Sequence, residues 1–508
     1  LVDRDCHKSH HYGMVLAGAQ VVYLDSYPLN DYSMYGAVPL REVKKILLEL
    51  KAEGKLDRVR MLLLTNCTFD GIVYNVERVM RECLAIKPDL IFLWDEAWFA
   101  FARFGPTYRQ RTGMNAANNL RETLRTPEHA ATYAAQQEEL KDADDEKLLD
   151  TRLVPPPNAR VKVYTKQSTH KTLTALRQGS MIHVHDQDCK GEVEQSFHEA
   201  YMTHTSTSPN YQIIASLDVG RRQVELEGFE FVQRQVEAAM SMRRAISLHP
   251  QLQKYFKVLT AGDMIPEPYR ESGITSYYDP GQGWNDIWEC WAADEFVLDA
   301  TRVTLSVGGT GWDGDTFKNK ILMDKYGIQI NKTSRNTVLF MTNIGTTRSS
   351  VAYLIEVLVE IANELDDLHD DASKMERRAF EHRVRSLMEE LPPLPDFSRF
   401  HDAFRPSGAK TPEGDMRAAF FLAYDEENCD YLALDGSLKQ ALESGREVVS
   451  ASFIIPYPPG FPILVPGQVI SEEIMAFMRA LDVNEIHGYR PDLGLRVFTK
   501  EALAHQDQ

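Results

Sequence analysis

"VKVYTKQSTHKTLTALRQGS", Val161–Ser180, decides how the rest of the chain is read. A strand-like alternation stops at Tyr164 and a polar turn follows. Lys171 then stands directly after His170, with a near-apolar segment behind it. Two readings compete. Lys171 is an ordinary solvated lysine at a helix start, or it is an amine held at the lip of a sheet for covalent chemistry. In isolation the first reading is favoured, so the decision falls to the other strand ends.

Apolar runs at Ala19–Leu24, Val59–Leu64 and Leu90–Trp94 alternate with helical patterns over Leu40–Glu53 and Asn75–Ile86. This is the βαβ rhythm of a parallel sheet, and such sheets bind ligands beyond the carboxyl ends of their strands. The polar stretch from Phe104 to Arg160, with its acidic run Glu138–Asp150 and its stop at "VPPPNAR", reads as an inserted, solvated excursion. A long helical pattern from Pro209 to about Leu252 leads out of the first domain. Strands are expected near Arg302–Val307 and Thr337–Met341, a helix near Val351–Leu368, and a linker at "LPPLPDF". From about Ser398 the chain holds short helices and the turn-rich "IIPYPPGFPILVPGQ". The expected division is a large domain over 1–225 with a helical insertion at about 104–160, a small α+β domain over 226–395, and a C-terminal module over 396–508.

With 508 residues, 43% of them hydrophobic and 26% charged, the composition is that of a globular protein. The formal charge of -18 argues against a general nucleic-acid binder, which needs a basic face, and mildly favours cationic small-molecule ligands. No apolar run approaches the roughly 20 residues of a membrane span. The opening "LVDRDCHKSHHYG" is not a secretory leader. Cys6, Cys67, Cys83, Cys189, Cys290 and Cys429 are scattered without a CxxC pair. Neither a disulfide framework nor a metal centre is expected, and a reducing cytoplasm fits best.

Four segments at strand ends or the chain start carry unusual residues: "DRDCHKSHHYG", "TNCTFDGIVYN", "DEAWF" and the Lys171 turn. Each alone is a weak signal. Together they meet the demands of pyridoxal phosphate: an amine above a sheet, a carboxylate for the pyridine nitrogen, a flat ring, and phosphate donors. Lys171 supplies the amine, Asp95 the carboxylate, His7 the stacking ring, and Ser168 with His170 the donors. Asp95 matters most for the electronics, because a carboxylate beside the pyridinium favours the charged ring and improves it as an electron sink.

With these pieces in order, the chain resembles the pyridoxal-phosphate-dependent ornithine/lysine/arginine decarboxylases of the aspartate-aminotransferase fold, and among them the actinobacterial members. The matching segments include "STHKTLTALRQGSMIHV", "HEAYMTHTSTSPNYQIIAS", "DATRVTL", "YPPG" and "EIHGY", so the resemblance reaches from the first residues to about Tyr489. It implies an α/β large domain with a mostly parallel sheet, a smaller α+β domain and a C-terminal α+β module. It also implies Lys171 as the lysine bonded to the cofactor, His7 stacked on the ring, and Asp95 on its nitrogen. Trp98 would lie near the 3-oxygen, Ser168 and His170 would contact the phosphate, and His170 or Lys171 would return a proton to the α-carbon. Ser206 would reach the phosphate of a neighbouring subunit, which implies a homodimer or an assembly of dimers with shared sites. The substrate would be a basic amino acid, with a place in amino-acid metabolism and polyamine biosynthesis.

The resemblance further implies a phosphate-binding glycine/threonine/serine loop and a regulatory domain upstream of Leu1, so the chain is expected to be a trimmed portion. Relatives specific for lysine carry a glutamate where Asn331 stands. Plainer readings apply elsewhere. His10, His11 and His183 are expected to be structural or exposed, and Arg348 and Arg490 to form surface ion pairs. Glu485 and His487 are expected in domain packing, Cys67 as a small residue at a strand end, and the apolar residues of "IMAFM" in a core. Transamination or elimination with the same cofactor is the rival chemistry, and a silent relative that keeps the fold is the rival class.

Overall fold

Val2–Asp3, Val21–Leu24, Met61–Thr65, Ile91–Asp95 and Lys162–Gln167 are parallel strands of one seven-stranded sheet. Their middles are nearly continuous apolar runs because helices cover both faces. Antiparallel strands close the edges, Glu413–Gly414 beside Val21–Leu24 and Met181–Asp186 beside Lys162–Gln167. The expected α/β architecture is present. A computed structural model describes residues 1–504 apart from 407, 435, 458–459 and 481–484. The two prolines of "YPPG" therefore lie outside the described residues.

The strand order reverses at Val2–Asp3, which sits between Val21–Leu24 and Met61–Thr65. Such a switch opens a crevice at the carboxyl rim, where Asp3, Thr65, Asp95 and Gln167 end their strands. The Lys162–Gln167 strand continues three residues past Tyr164. Its side chains alternate between buried and half-buried positions, and ladders on both sides hold it extended through the polar residues.

Leu40–Ala52 and Val76–Ile86 are amphipathic helices that bury Val43, Leu47 and Leu50, and Val79, Met80 and Cys83, against this sheet. The solvated excursion expected over Phe104–Arg160 is corrected in its first half. The Gly113–Thr123 helix buries Ala116, Ala117 and Leu120, a helical stripe of small residues hidden in a polar sequence. Arg111 is buried and donates to the carbonyls of Trp291 (2.8 Å) and Asp294 (2.7 Å). Only the Pro127–Glu139 and Asp145–Asp150 helices are mostly exposed. Buried Lys44 anchors the second of them, donating to Glu82 (2.7 Å) and to the carbonyl of Thr151 (2.9 Å).

A second, antiparallel sheet orders Lys257–Val258, Arg302–Ser306, Thr337–Met341 and Lys332–Thr333. The Arg348–Asp371 helix and the later half of the Tyr211–Leu248 helix cover it. The intervening segment turns back onto the first core, where Phe296–Leu298 pairs with Ile72–Tyr74. The C-terminal part is tied to the rim by buried Arg4, which donates to the carbonyls of Phe397 (2.9 Å) and Pro462 (2.6 Å) and to Gln468 (2.8 Å). Within that part, Glu485–His487 pairs with Ile455–Tyr457. Among the described residues no helix is long and apolar enough to cross a membrane.

Candidate active site

The carboxyl rim opens into a cavity of ≈ 940 Å³ lined by residues from both sheets and from the C-terminal part. Ser168 begins a one-turn helix, Thr169–Thr172, that ends the Lys162–Gln167 strand and carries Lys171 into the cavity. The turn is fixed by backbone bonds, Ser168 N–H to Ala97 (3.4 Å) and Lys171 N–H to Ser168 (3.2 Å). The Lys171 Nζ stands 4.5 Å from the centre of the Trp98 ring, whose neighbourhood also holds the Arg302 guanidinium at 5.3 Å. Burial first, and the charge of Lys166 second, lower the Lys171 amine to about 8, against the opposing pull of Asp95. An amine in that range is partly neutral, and so nucleophilic, near neutral pH.

Asp95 is 3% exposed at the end of its strand. Burial would raise its carboxyl, but the hydrogen bond and charge of His10 outweigh that and hold it well below the usual carboxylate range. The His10 Nε2–H donates to Asp95 Oδ2 at 2.7 Å, and the Ala97 N–H donates to Oδ1 at 2.9 Å. The site thus keeps a buried anion whose orientation is fixed from two sides. His10, expected among the structural or exposed histidines, is half-buried and holds Asp95 from outside the cavity lining. No local signal marks it, because its partner lies 85 residues away.

Glu96, the second carboxyl of "DEAWF", is fully buried and takes a different part. It accepts from Gly113 N–H (2.6 Å) and from Gln167 (2.8 Å), and burial pushes it up to about 7. It joins the ends of two strands to the start of the Gly113–Thr123 helix, directly behind Asp95. A side chain at Gly113 would meet Thr165 Cγ2 at 2.5 Å, so the clamp requires glycine there.

His7 caps the Lys8–Ala17 helix through its Nδ1, which accepts from Ser9 N–H at 3.3 Å, and its ring faces the cavity. Its outer edge is open to solvent, yet the buried side and the charge of Lys171 keep the ring neutral, with its value lowered to about 4. The His170 Nδ1–H donates to the Gly179 carbonyl at 2.7 Å. The cavity therefore gathers His7, Asp95, Trp98, His170 and Lys171. Ser168 is buried beneath the turn and is not part of the cavity lining, and Ser206 lies on an exposed arm where it accepts from Ser208 N–H at 3.1 Å. His11 and His183 bond to Tyr23 (2.8 Å) and Gln167 (3.2 Å) away from the cavity lining. Arg490 pairs with Asp492 at 3.0 Å in the open. Cys67 lines the cavity as a thiol that burial pushes upward. Lys166, Arg177, Asp3 and Asp5 are among the other charged residues of the lining, and none of them is evident from the sequence.

The parallel rim, with Lys171 and Asp95 on one cavity, is the α/β scaffold to be compared with known proteins. Solved lysine decarboxylases share the fold: lysine decarboxylase A from Pseudomonas aeruginosa superposes with a TM-score of 0.64 over 98% of this chain and 66% of that one, at 23% identity. The chain belongs to the Orn/Lys/Arg decarboxylase family, matching its major domain over residues 1–130 and 155–350. The unmatched internal stretch falls in the exposed helices of the excursion, and residues 351–508 also lie outside the match. The lysine decarboxylase of Hafnia alvei is 27% identical over 95% of this chain and 60% of its own length. The biodegradative arginine decarboxylase of Escherichia coli K12 is 25% identical over 96% of this chain and 64% of its own length. The chain thus spans about 60% of the length of the first curated relatives it matches.

Proposed function

We propose that this chain carries the cofactor site of a pyridoxal-phosphate-dependent decarboxylase of a basic amino acid, lysine, ornithine or arginine, releasing CO2 and the corresponding amine. The carrying observation is the convergence of a part-buried amine, Lys171, and a buried ionised carboxylate, Asp95, on one cavity of ≈ 940 Å³. Those residues fit the cofactor's demands. When bound, pyridoxal phosphate supplies the sink for the electron pair left on the α-carbon as CO2 departs. Lys171 offers the nucleophile that anchors the cofactor's aldehyde carbon. Asp95, kept ionised by His10, would hold a proton on the ring nitrogen. His7 would offer a flat wall to the cofactor ring, and Trp98, packed beside Lys171, would bound the same cavity. Lys171 or His170 would be the group that returns a proton to the α-carbon. Ser168 and His170 are assigned to the phosphate by the family resemblance.

Asp3 and Asp5 line the same cavity, and neither makes an ion pair among the described residues. Two carboxyl groups that burial holds toward the protonated form suit a substrate whose cationic distal group would draw them to the charged form, whereas neutral Asn331 supplies no charge. The arm that carries Ser206 exposes Tyr201, Met202, Tyr211 and Ile214, an apolar set suited to a second copy of the chain. That pairing would bring Ser206 to the neighbour's phosphate. Six unbridged cysteines suit the cytoplasm.

The test is incubation of the cofactor-loaded protein with lysine, ornithine and arginine, following CO2, amine and keto acid. Stoichiometric CO2 and amine from one of them is expected. Keto acid without CO2 would transfer the reading to an aminotransferase.

A further inference from the structure

Lys332 and Asp70 form an ion pair, and both line the cavity. Asp70 belongs to the turn that follows the Met61–Thr65 strand, whereas Lys332 lies on the two-residue edge strand of the second sheet. The two partners are held unequally. The Asp70 turn is closed by Thr68 N–H to the Ile72 carbonyl (2.9 Å), Gly71 N–H to the Thr68 carbonyl (3.0 Å), and Arg302 to the Phe69 carbonyl (3.4 Å). A Cβ on Gly71 would meet Arg302 Cβ at 2.7 Å, so the turn is packed directly on that side chain. The carboxylate is therefore fixed, while the ammonium stands at the end of a flexible four-carbon stem.

The Lys332 Nζ also lies 5.5 Å from the centre of the Phe69 ring. A carboxylate beside an aromatic face is an environment that attracts an alkylammonium group. Phe69 meets Trp98 edge to face at 5.1 Å, and the Lys171 Nζ stands 4.5 Å from the centre of Trp98. Two adjoining rings thus connect the Lys171 amine to the Lys332 ammonium along one wall of the cavity. Burial pushes the Asp5 carboxyl up, and Lys332 is among the charges that oppose this, so the same ammonium is felt at a second carboxyl of the lining. A lysine or ornithine substrate ends in the group that Lys332 presents, an ammonium on a chain of methylenes. We propose that Asp70 and Phe69 form a site for an alkylammonium group, filled by Lys332, and that the distal ammonium of a substrate or diamine product competes with Lys332 for it. The inference rests on the functional reading above and narrows it, favouring lysine or ornithine over arginine.

The experiment compares 1,5-diaminopentane with 1-aminopentane, which lacks the distal ammonium. Dissociation constants for both are measured by titration calorimetry on the full chain loaded with pyridoxal phosphate. The proteins are wild type, K332M, K332R, D70N and the double variant D70N/K332M, with folding checked by circular dichroism. The readout is the ratio of the two constants, in which a general loss of binding cancels. K332M removes the competitor and should raise the preference for the diamine about tenfold, the size of one bond to a charged group. K332R keeps the cation and should stay near wild type. D70N leaves Lys332 without its counter-ion and should lower the preference below wild type, which tests the site even where K332M fails to fold. The double variant should lose the gain of K332M. A preference unchanged in K332M or in D70N, or a gain that survives in the double variant, would overturn the inference. Equal shifts for both amines would overturn it too, as the mark of a purely structural tie. Calorimetry needs no bound cofactor: a chain that takes up no pyridoxal phosphate would break the functional reading, and the ratio measured on it would still judge this inference.

Discussion

Asp3 and Asp95 are the same residue in the same setting, each 3% exposed at the carboxyl end of a parallel strand in one sheet. Their charge states nevertheless diverge. Asp95 is driven to the ionised form because His10 donates to it at 2.7 Å and Lys166 stands across the ladder. Asp3 is pushed up to about 7, first by burial and then by the charge of Asp5, and the Thr65 N–H at 3.0 Å offsets only part of that. Its second oxygen has no partner among the described residues. Burial is common to both, so the partner decides which aspartate can serve as a fixed anion and which is poised to accept charge from a ligand.

The contrast can be broken most severely at Asp95. Asp95→Asn should keep the fold by circular dichroism yet lower kcat/KM on the order of 10²–10³-fold, the usual consequence of deleting a preorganised charge. His10→Phe probes the same anion indirectly and should cost about ten- to a hundredfold, the worth of a hydrogen bond to a charged group. Because His10 lowers the Asp95 carboxyl, its removal raises that value, and the acid limb of cofactor binding should move to higher pH in a pH titration. A merely structural role for His10 would leave that limb in place.

The smallest effect is expected at Asp3. A carboxyl raised from its ordinary value to about 7 binds its proton more tightly in the folded chain, so its contribution to stability is lost as pH rises from about 4 through 7. Asp3→Asn removes that loss. The variant should melt about 2 °C or more above wild type at pH 8, with the gap closing near pH 4, read by thermal denaturation. A gap that widened on acidification would place the raised carboxyl elsewhere.

The sheet and the residues of its rim were legible because parallel strands write their burial into continuous apolar runs and end where the cavity opens. Lys171, Asp95, His7 and Trp98 all line that cavity. Their supports were not legible. The His10–Asp95 bond spans 85 residues, and Lys166 resembles an outward strand position until register sets it beside Asp95. Glu96 passes for a second surface acid in "DEAWF" although it is fully buried as a clamp. Arg302, in "DATRVTL", shows its place under Trp98 only when the two sheets meet. The Ala116–Leu120 stripe was masked by the asparagines and charges around it, and nothing local in 259–300 reveals that this segment returns to the first core. Local patterns record burial along one element, whereas these contacts arise where elements converge.

The central claim is that Lys171 carries the cofactor. Borohydride reduction of the full chain loaded with pyridoxal phosphate, followed by peptide mapping, tests it directly. The account predicts a single pyridoxyl label, on the peptide containing Lys171, that disappears with its visible absorbance band in Lys171→Ala. A label on Lys166 or on any other lysine in the wild type would contradict it.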